Sequence, residues 1–366
     1  MNNFKLISFI ICSNGYGHLK RVLSVIKHIL NYGSEIKIAL FCADSHIRIA
    51  KKEINFANNL FFCKFYSELS KNELNWIVDG GVTKNKFDNW KLDIQTNSIL
   101  QKSHLIISDN HITPLTVFPN VKLMGSFLWD DVSHLNSQES QKVIEEEIGC
   151  LKKHRPDMFC LKYFAMPSIF QYANPIELPW YCEKYYGSEG SKRESILITG
   201  GGTALLNFHL SKLVEKIIAI GISETIFLDS KLYDLLCENK ELNIKKFSFS
   251  DQDFFALKAI ICRPGIGILT DCVKFGIPPI VINDGFNNEI DYNSMMVQKL
   301  NIGKSFDLRY NEISFIASEI KSIFQNDALM KSFQNSIDKQ ETNGAKLAAE
   351  IIVNSTYDTK SRKNLL

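Results

Sequence analysis

Residues 13–18, SNGYGH, place a histidine at the mouth of a glycine turn, just after an apolar run and just before a helical pattern. Gly15 and Gly17 let the backbone turn where other residues would be strained, and His18 opens the helix. Imidazole is the side chain whose ordinary protonation range suits a general base near neutral pH. Such a base works best with a carboxylate that fixes its tautomer and stabilises the protonated ring. Asp109 closes LIISD (105–109). A cap or turn carboxylate ahead of His111 and Pro114 is the plain alternative for Asp109, and His111 is a second candidate base. His28, His46, His104, His134, His154 and His209 lack a comparable setting and read as surface or packing residues.

A second set of chemical residues lies in AIICRPGIGILTDCVKFGIPPIVI, 259–282. Gly265 and Gly267 allow close approach of a ligand to the backbone, and the first amides of the following helix favour an anion such as a diphosphate. GGGT at 200–203 offers another possible amide cluster through Gly201, Gly202 and Thr203. Tight turns without a ligand are the plain alternative for both. Neither matches GxxxxGK[ST] or GxGxxG, which argues against a P-loop or dinucleotide enzyme. Asp271 follows on the helix, where a carboxylate one or two turns beyond a phosphate site can accept hydrogen bonds from ribose hydroxyls. A diphosphate carrying a ribose fits a nucleotide sugar as well as a dinucleotide.

The elements that must position these residues alternate in type. Strands are expected at Lys5–Cys12, Ile36–Cys42, 61–66 and Leu105–Ser108, with a helix from His18 to Leu30 whose apolar residues share one face. The stretch 133–158 is polar and helix-compatible, and 159–182, with Pro167, Pro175 and Pro179, reads as irregular. YYGSEGSKRES at 185–195 interrupts both periodicities and reads as a linker. A second series follows, with strands at Ile196–Thr199, Thr225–Leu228, Ile244–Phe247, Ala259–Cys262 and Pro279–Ile282. Short apolar strands between helices imply parallel sheets covered on both faces. The expected organisation is α/β: a Rossmann-like domain at 1–184, the linker, a second Rossmann-like domain at 196–340, and a C-terminal helix with a polar tail at 341–366. Two doubly wound domains facing a cleft would bring their glycine turns to it.

Length and charge agree with this reading. A chain of 366 residues with 45% hydrophobic and 22% charged residues can bury two cores. A formal net charge of +2 gives no support for nucleic-acid binding, and KKHR (152–155) and KSRK (360–363) read as solvated surface. Nine cysteines, an odd number, form no CxxC pair and no zinc spacing, so reduced thiols, no metal and a cytoplasmic setting are expected. Leu6–Cys12 lacks the basic leader and cleavage site of a signal peptide. No run approaches the ~20 apolar residues of a membrane span.

CRPGIGILTDCVKFGIPPIVI, followed by NNEIDYNSMMVQKLNIG, is similar to the donor-binding signature of inverting GT-B glycosyltransferases, notably the lipid-II-forming N-acetylglucosaminyltransferases and the UDP-glycosyltransferases. The resemblance covers most of 196–353. It implies that Arg263 and Gly265 hold the diphosphate, Asp271 the ribose, and Glu289 with Ile290, ahead of Asn293, the transferred sugar. GGGT matches the family's glycine loop, Phe249 and Asp251 in FSFSD fall where its base-binding loop lies, and NGAKLAAEII resembles the helix that packs back on the first domain. GYGH matches the family's turn whose histidine, here His18, acts as general base on the acceptor hydroxyl, and the resemblance makes Asp109, ending LIISD, the candidate for the aspartate that orients it in many relatives. The implied reaction is transfer from a nucleotide-diphosphate sugar, with uridine the usual base, to a hydroxyl on a glycan, lipid-linked or protein acceptor, as in cell-surface glycan synthesis. The leaving group would be met by amides and Arg263 without a metal. A lipid-linked acceptor would bring peripheral contact with the inner face of the membrane. Lys20 and Arg21 would then be either solvated or in contact with an anionic acceptor.

Two departures stand out. Ile290 replaces a glutamine that commonly binds donor-sugar hydroxyls, and Asp271 replaces a glutamate. GYGHLKR also resembles the turn of the UDP-sugar hydrolase of the pseudaminic acid pathway, in which histidine activates water. The 120–182 segment, with GSFLWDDV, looks instead suited to an acceptor or partner surface. Ile290 also leaves open a nucleotide-sugar-binding protein without turnover.

Overall fold

A computed structural model describes residues 4–12, 15–54, 59–63, 84–132, 138–185, 193–201, 206–239 and 242–357. The chain forms two compact units, 1–181 with 343–366, and 182–342.

The first unit is built on a seven-stranded sheet in the order β3-β2-β1-β4-β5-β6-β7. The strands are β1 (Lys5–Ile11), β2 (Ile36–Phe41), β3 (Leu60–Cys63), β4 (Leu105–Asp109), β5 (Val121–Met124), β6 (Asp157–Leu161) and β7 (Asn174–Leu178). All pairings are parallel. β1 and β4 are buried nearly throughout, as a sheet covered by helices on both faces requires. The chain leaves β1 toward β2 on one side and later places β4 on the other. Ligands gather at the carboxyl ends of strands beside such a reversal. The register sets Ile11 opposite Asp109 at that point.

Several sequence expectations change here. The first helix runs Tyr16–Leu30, so it starts before His18. The polar stretch becomes the helix Gln138–His154. The passage read as irregular holds β6, the short helix Pro167–Tyr172 and β7. Pro175 suggested a break, but β7 is the sheet edge, where proline is tolerated because one side of the strand has no ladder to complete. β5, a four-residue VKLM, was too short to stand out. The 61–66 strand ends at Cys63 among the described residues, and 64–66 lie outside them.

The helix Gly344–Tyr357 belongs to this unit. Its Ala345, Ala348, Ala349, Ile352 and Val353 join one core with Leu19, Val22, Leu23 and Ile26 of the first helix. Small residues let the two helices approach closely. Its entry is tight: Gly344 N donates to Trp180 O at 2.9 Å, and a Cβ on Gly344 would lie 2.1 Å from Pro179 O. Gly344→Ala is therefore expected to cost about 1–3 kcal/mol by overpacking against backbone. A thermal melt should show the first unit's transition lowered by several degrees.

The second unit carries a six-stranded parallel sheet in the order β10-β9-β8-β11-β12-β13. Its strands are β8 (Ser195–Thr199), β9 (Thr225–Leu228), β10 (Ile244–Lys246), β11 (Leu257–Cys262), β12 (Pro279–Asn283) and β13 (Lys304–Asp307). Leu210, Val214 and Ile217 of the helix Asn207–Ala219 pack with Ile316, Ile320 and Phe324 of the helix Ile313–Gln325. The strand order reverses between β8 and β11, again marking the carboxyl ends where a ligand belongs. β13 (KSFD) is half polar and carried no strand signal. No helix among the described residues is long and apolar enough to cross a membrane.

Candidate active site

At the first reversal the chain turns from β1 into the helix Tyr16–Leu30. Gly15 takes φ +81° there, a conformation that favours glycine. Gly17, expected in the same turn, is an ordinary helical residue. Ser13 and Asn14 lie outside the described residues.

His18 sits in the first turn of this helix, and its Nδ1 is 2.6 Å from Asp109 Oδ1. Asp109 closes β4, with its side chain 1% exposed. Burial alone would raise its carboxyl, but the positive charge of Arg21 and the bond to His18 outweigh burial and hold it below the ordinary carboxylate range. An ionised Asp109 only accepts. His18 Nδ1 therefore carries the hydrogen and donates it, which leaves Nε2 as the basic atom. Phe127 packs against the imidazole in a T-shaped arrangement, with ring centroids 6.4 Å apart.

Arg21 completes the cluster. Its Nη2 donates to Asp109 Oδ1 at 2.9 Å and Oδ2 at 2.8 Å, and its Nε donates to Oδ2 at 3.1 Å. It is neither solvated nor presented to a ligand, the two roles weighed from sequence. The available signal was its spacing three residues beyond His18, which puts both on one helix face.

The other candidate base is enclosed. His111 has no exposed surface, and burial drives its protonation down to about 3. Its ring meets Trp90 edge-on at 6.2 Å. His46 is likewise buried, held down to about 4 by burial and then by His18.

In the second unit, β11 ends at Cys262 and Arg263-Pro264-Gly265 leads into the helix Ile266–Phe275. Gly265 is the N-cap, at φ −73°, with no side-chain cap. A Cβ there would meet nothing within 4 Å. A Cβ finds open space at this helix end, and among the described residues no side chain bonds its first amides, Gly267 included. That is the setting of an anion site. Arg263 stands beside it, mostly buried, with Glu289 and Asp284 as its charged neighbours. Asp271 lies on the same helix, half-buried.

The remaining predicted residues divide. Asn293 is fully buried, and its Nδ2 donates to Pro264 O at 2.9 Å. It braces the Arg263–Gly265 turn. Ile290 has no exposed surface either, and Glu289 beside it is half-buried. Phe249, at φ +59° and 43% exposed, packs edge-on against Phe247. Asp251 pairs with Lys274 at 3.2 Å. Gly201 adopts φ +74°, but its amide donates to Thr199 Oγ1, and that of Gly200 to Asp229 Oδ2, both at 3.0 Å. These two amides are turned into the protein and not toward a ligand. Gly202 and Thr203 lie outside the described residues.

No family model and no curated protein matches the sequence. Solved structures match along nearly the whole chain. The glycosyltransferase of kitacinnamycin superposes with a TM-score of 0.66 at 12% identity, covering 96% of this chain and 99% of the other. UGT2 of Phytolacca americana, solved with UDP-2-fluoro-glucose and pterostilbene, gives 0.65 at 11% identity over 96% and 99%. MurG of Acinetobacter baumannii gives 0.61 at 12% identity over 96% and 99%. With two parallel sheets of this strand order flanked by helices, the chain has the GT-B fold of these glycosyltransferases.

Proposed function

We propose that the protein is an inverting, metal-independent glycosyltransferase that moves a sugar from a nucleoside-diphosphate donor to a hydroxyl acceptor. The observation that carries this reading is His18 Nδ1 bonded at 2.6 Å to a buried Asp109 held below its ordinary range, which frees Nε2 as a base. His18 Nε2 takes the acceptor's hydroxyl proton as that oxygen bonds to the anomeric carbon. The bond from that carbon to the diphosphate breaks, and the electron pair leaves with the phosphate. The first amides of Ile266–Phe275 and the Arg263 guanidinium meet the growing charge. Attack opposite the leaving group inverts the anomeric centre.

The donor class has support from ligands in matching structures. One holds UDP, another dTDP, and a third UDP-2-fluoro-glucose. UDP-sugars are thus the first donors to try, with a glycan, lipid-linked or protein hydroxyl as acceptor. A nucleotide-sugar-binding protein without turnover, prompted by Ile290 in place of a sugar-binding glutamine, is the alternative that the same assay separates.

Incubation with UDP-, GDP-, TDP- and CMP-sugars, with and without cell-extract acceptors, tests the assignment through free nucleotide. Acceptor-dependent release supports transfer. Release without an acceptor makes the protein a hydrolase with the same base, and no release leaves a binding protein. Asp271→Ala is expected to weaken nucleotide binding about tenfold, on the scale of one or two charged hydrogen bonds. Calorimetric titration with UDP checks this, and an unchanged Kd removes Asp271 from the donor site.

A further inference from the structure

Arg21 takes no part in the reaction as described, yet it makes the densest set of polar contacts in the first unit's site. Three of its donor contacts reach the two oxygens of Asp109, and its Nη2 is also 3.3 Å from His18 Nδ1. Its side chain is 10% exposed and that of Asp109 1%, so water and salt screen the pair weakly. We propose that Arg21 is a positioning residue with two tasks: it locks Asp109 in one rotation, and it cancels the carboxylate's charge so that His18 enters the reaction as a neutral base. The inference rests on the reading of His18 as the base.

The first task follows from geometry. A guanidinium that spans both oxygens of a carboxylate fixes its plane, which a point-like ammonium cannot do. The plane of Asp109 sets the direction of the His18 bond, and therefore where Nε2 points.

The second task follows from charge. In a histidine–carboxylate pair alone, proton uptake takes the pair from −1 to 0. With Arg21 included, the same step takes the cluster from 0 to +1. The guanidinium thus offsets the carboxylate's pull on a proton at the imidazole. Among the described residues, the other ionisable groups near His18 do not supply this effect. His46, from the helix Asp44–Glu53, and His111, just after β4, are both buried and neutral near pH 7. Tyr181, buried beside Arg21 and Asp109, has its phenol pushed up by burial and is uncharged, and the ring against His18 is that of Phe127.

Arg21→Gln and Arg21→Lys in the full chain separate the tasks. In Arg21→Gln the carboxylate faces His18 uncompensated, which favours imidazolium. The acid limb of kcat/KM should move to higher pH by about one unit, with donor KM changed less than about twofold. NMR of ¹⁵N-histidine-labelled protein should show His18 holding its proton to higher pH in the same variant, a readout independent of turnover. Arg21→Lys keeps the charge but loses the fork, so the limb should stay while kcat falls about tenfold. An Arg21→Gln protein whose acid limb and His18 spectrum both coincide with wild type overturns the charge role. A wild-type kcat in Arg21→Lys overturns the positioning role, and that variant remains decisive if Arg21→Gln does not fold. Should His18→Ala keep full turnover, the base assignment fails separately, and the histidine spectrum still decides what Arg21 does.

Discussion

Replacing His18 by alanine is expected to lower turnover by at least ~10²-fold, the scale of losing a general base, while donor affinity stays within about twofold. The size of the loss depends on whether another group can take over. His46 and His111 are the nearby imidazoles, but both are buried and driven far below neutral protonation, so neither can accept a proton from a substrate hydroxyl at pH 7. Asp109 is shielded and held ionised by Arg21, which makes it a very weak base. Steady-state nucleotide release, paired with calorimetric binding of the donor, separates the two effects. Turnover that survives the substitution would remove His18 from the reaction.

Asp109→Asn is expected to damage both activity and stability. An asparagine of the same shape can turn its NH₂ toward His18 Nδ1, which makes that atom an acceptor and moves the ring hydrogen to Nε2, where the base is needed. In hydrolase triads the corresponding wrong tautomer costs ~10⁴ in rate, and a fall of 10³-fold or more is expected here. The substitution also leaves the Arg21 guanidinium buried without its counter-charge, a change on the order of 3–5 kcal/mol. The pH dependence follows the same group. Its folded protonation range lies below the ordinary one, so Asp109 adds stability above about pH 4, and this is lost as pH falls through the lower folded value. Denaturant midpoints from pH 7 to pH 3 should fall less steeply for Asp109→Asn than for wild type. Equal midpoints at pH 7 and parallel curves would refute the buried-pair account.

The parts of the site that were legible in the sequence lie close together along the chain. A strand, a glycine turn and a helix put His18 at a strand's carboxyl end, and LIISD ends in a carboxylate one strand away. Those patterns depend on local spacing and hydrophobic period, which a single sequence records. Arg21 was visible but ambiguous, because what fixes its role is a carboxylate 88 positions later in the chain. The burial of Asn293 and Ile290 was not legible for a related reason. A motif says that a position lies near a ligand, but helix phase and the packing of Asn288–Lys299 decide which side chains face inward, and both are buried. Gly201 shows the same limit, since its amide is taken by the hydroxyl of Thr199, just two residues earlier. Within the fold, Pro175 and the short β5 and β13 escaped notice because edge position and sheet neighbours, not local composition, make them strands.

The return of Gly344–Tyr357 to the first unit makes the second unit an insertion within it. During synthesis, the core around Leu19 and Ile26 cannot close until the ribosome has added the alanine-lined helix, after all of residues 182–342 have emerged. The unit that begins the chain is thus the last to be completed. Until then its first helix exposes the apolar stripe that Ala348, Ala349 and Ile352 later cover. A stop placed after 342 would release an intact second unit together with a first unit that aggregates through that stripe.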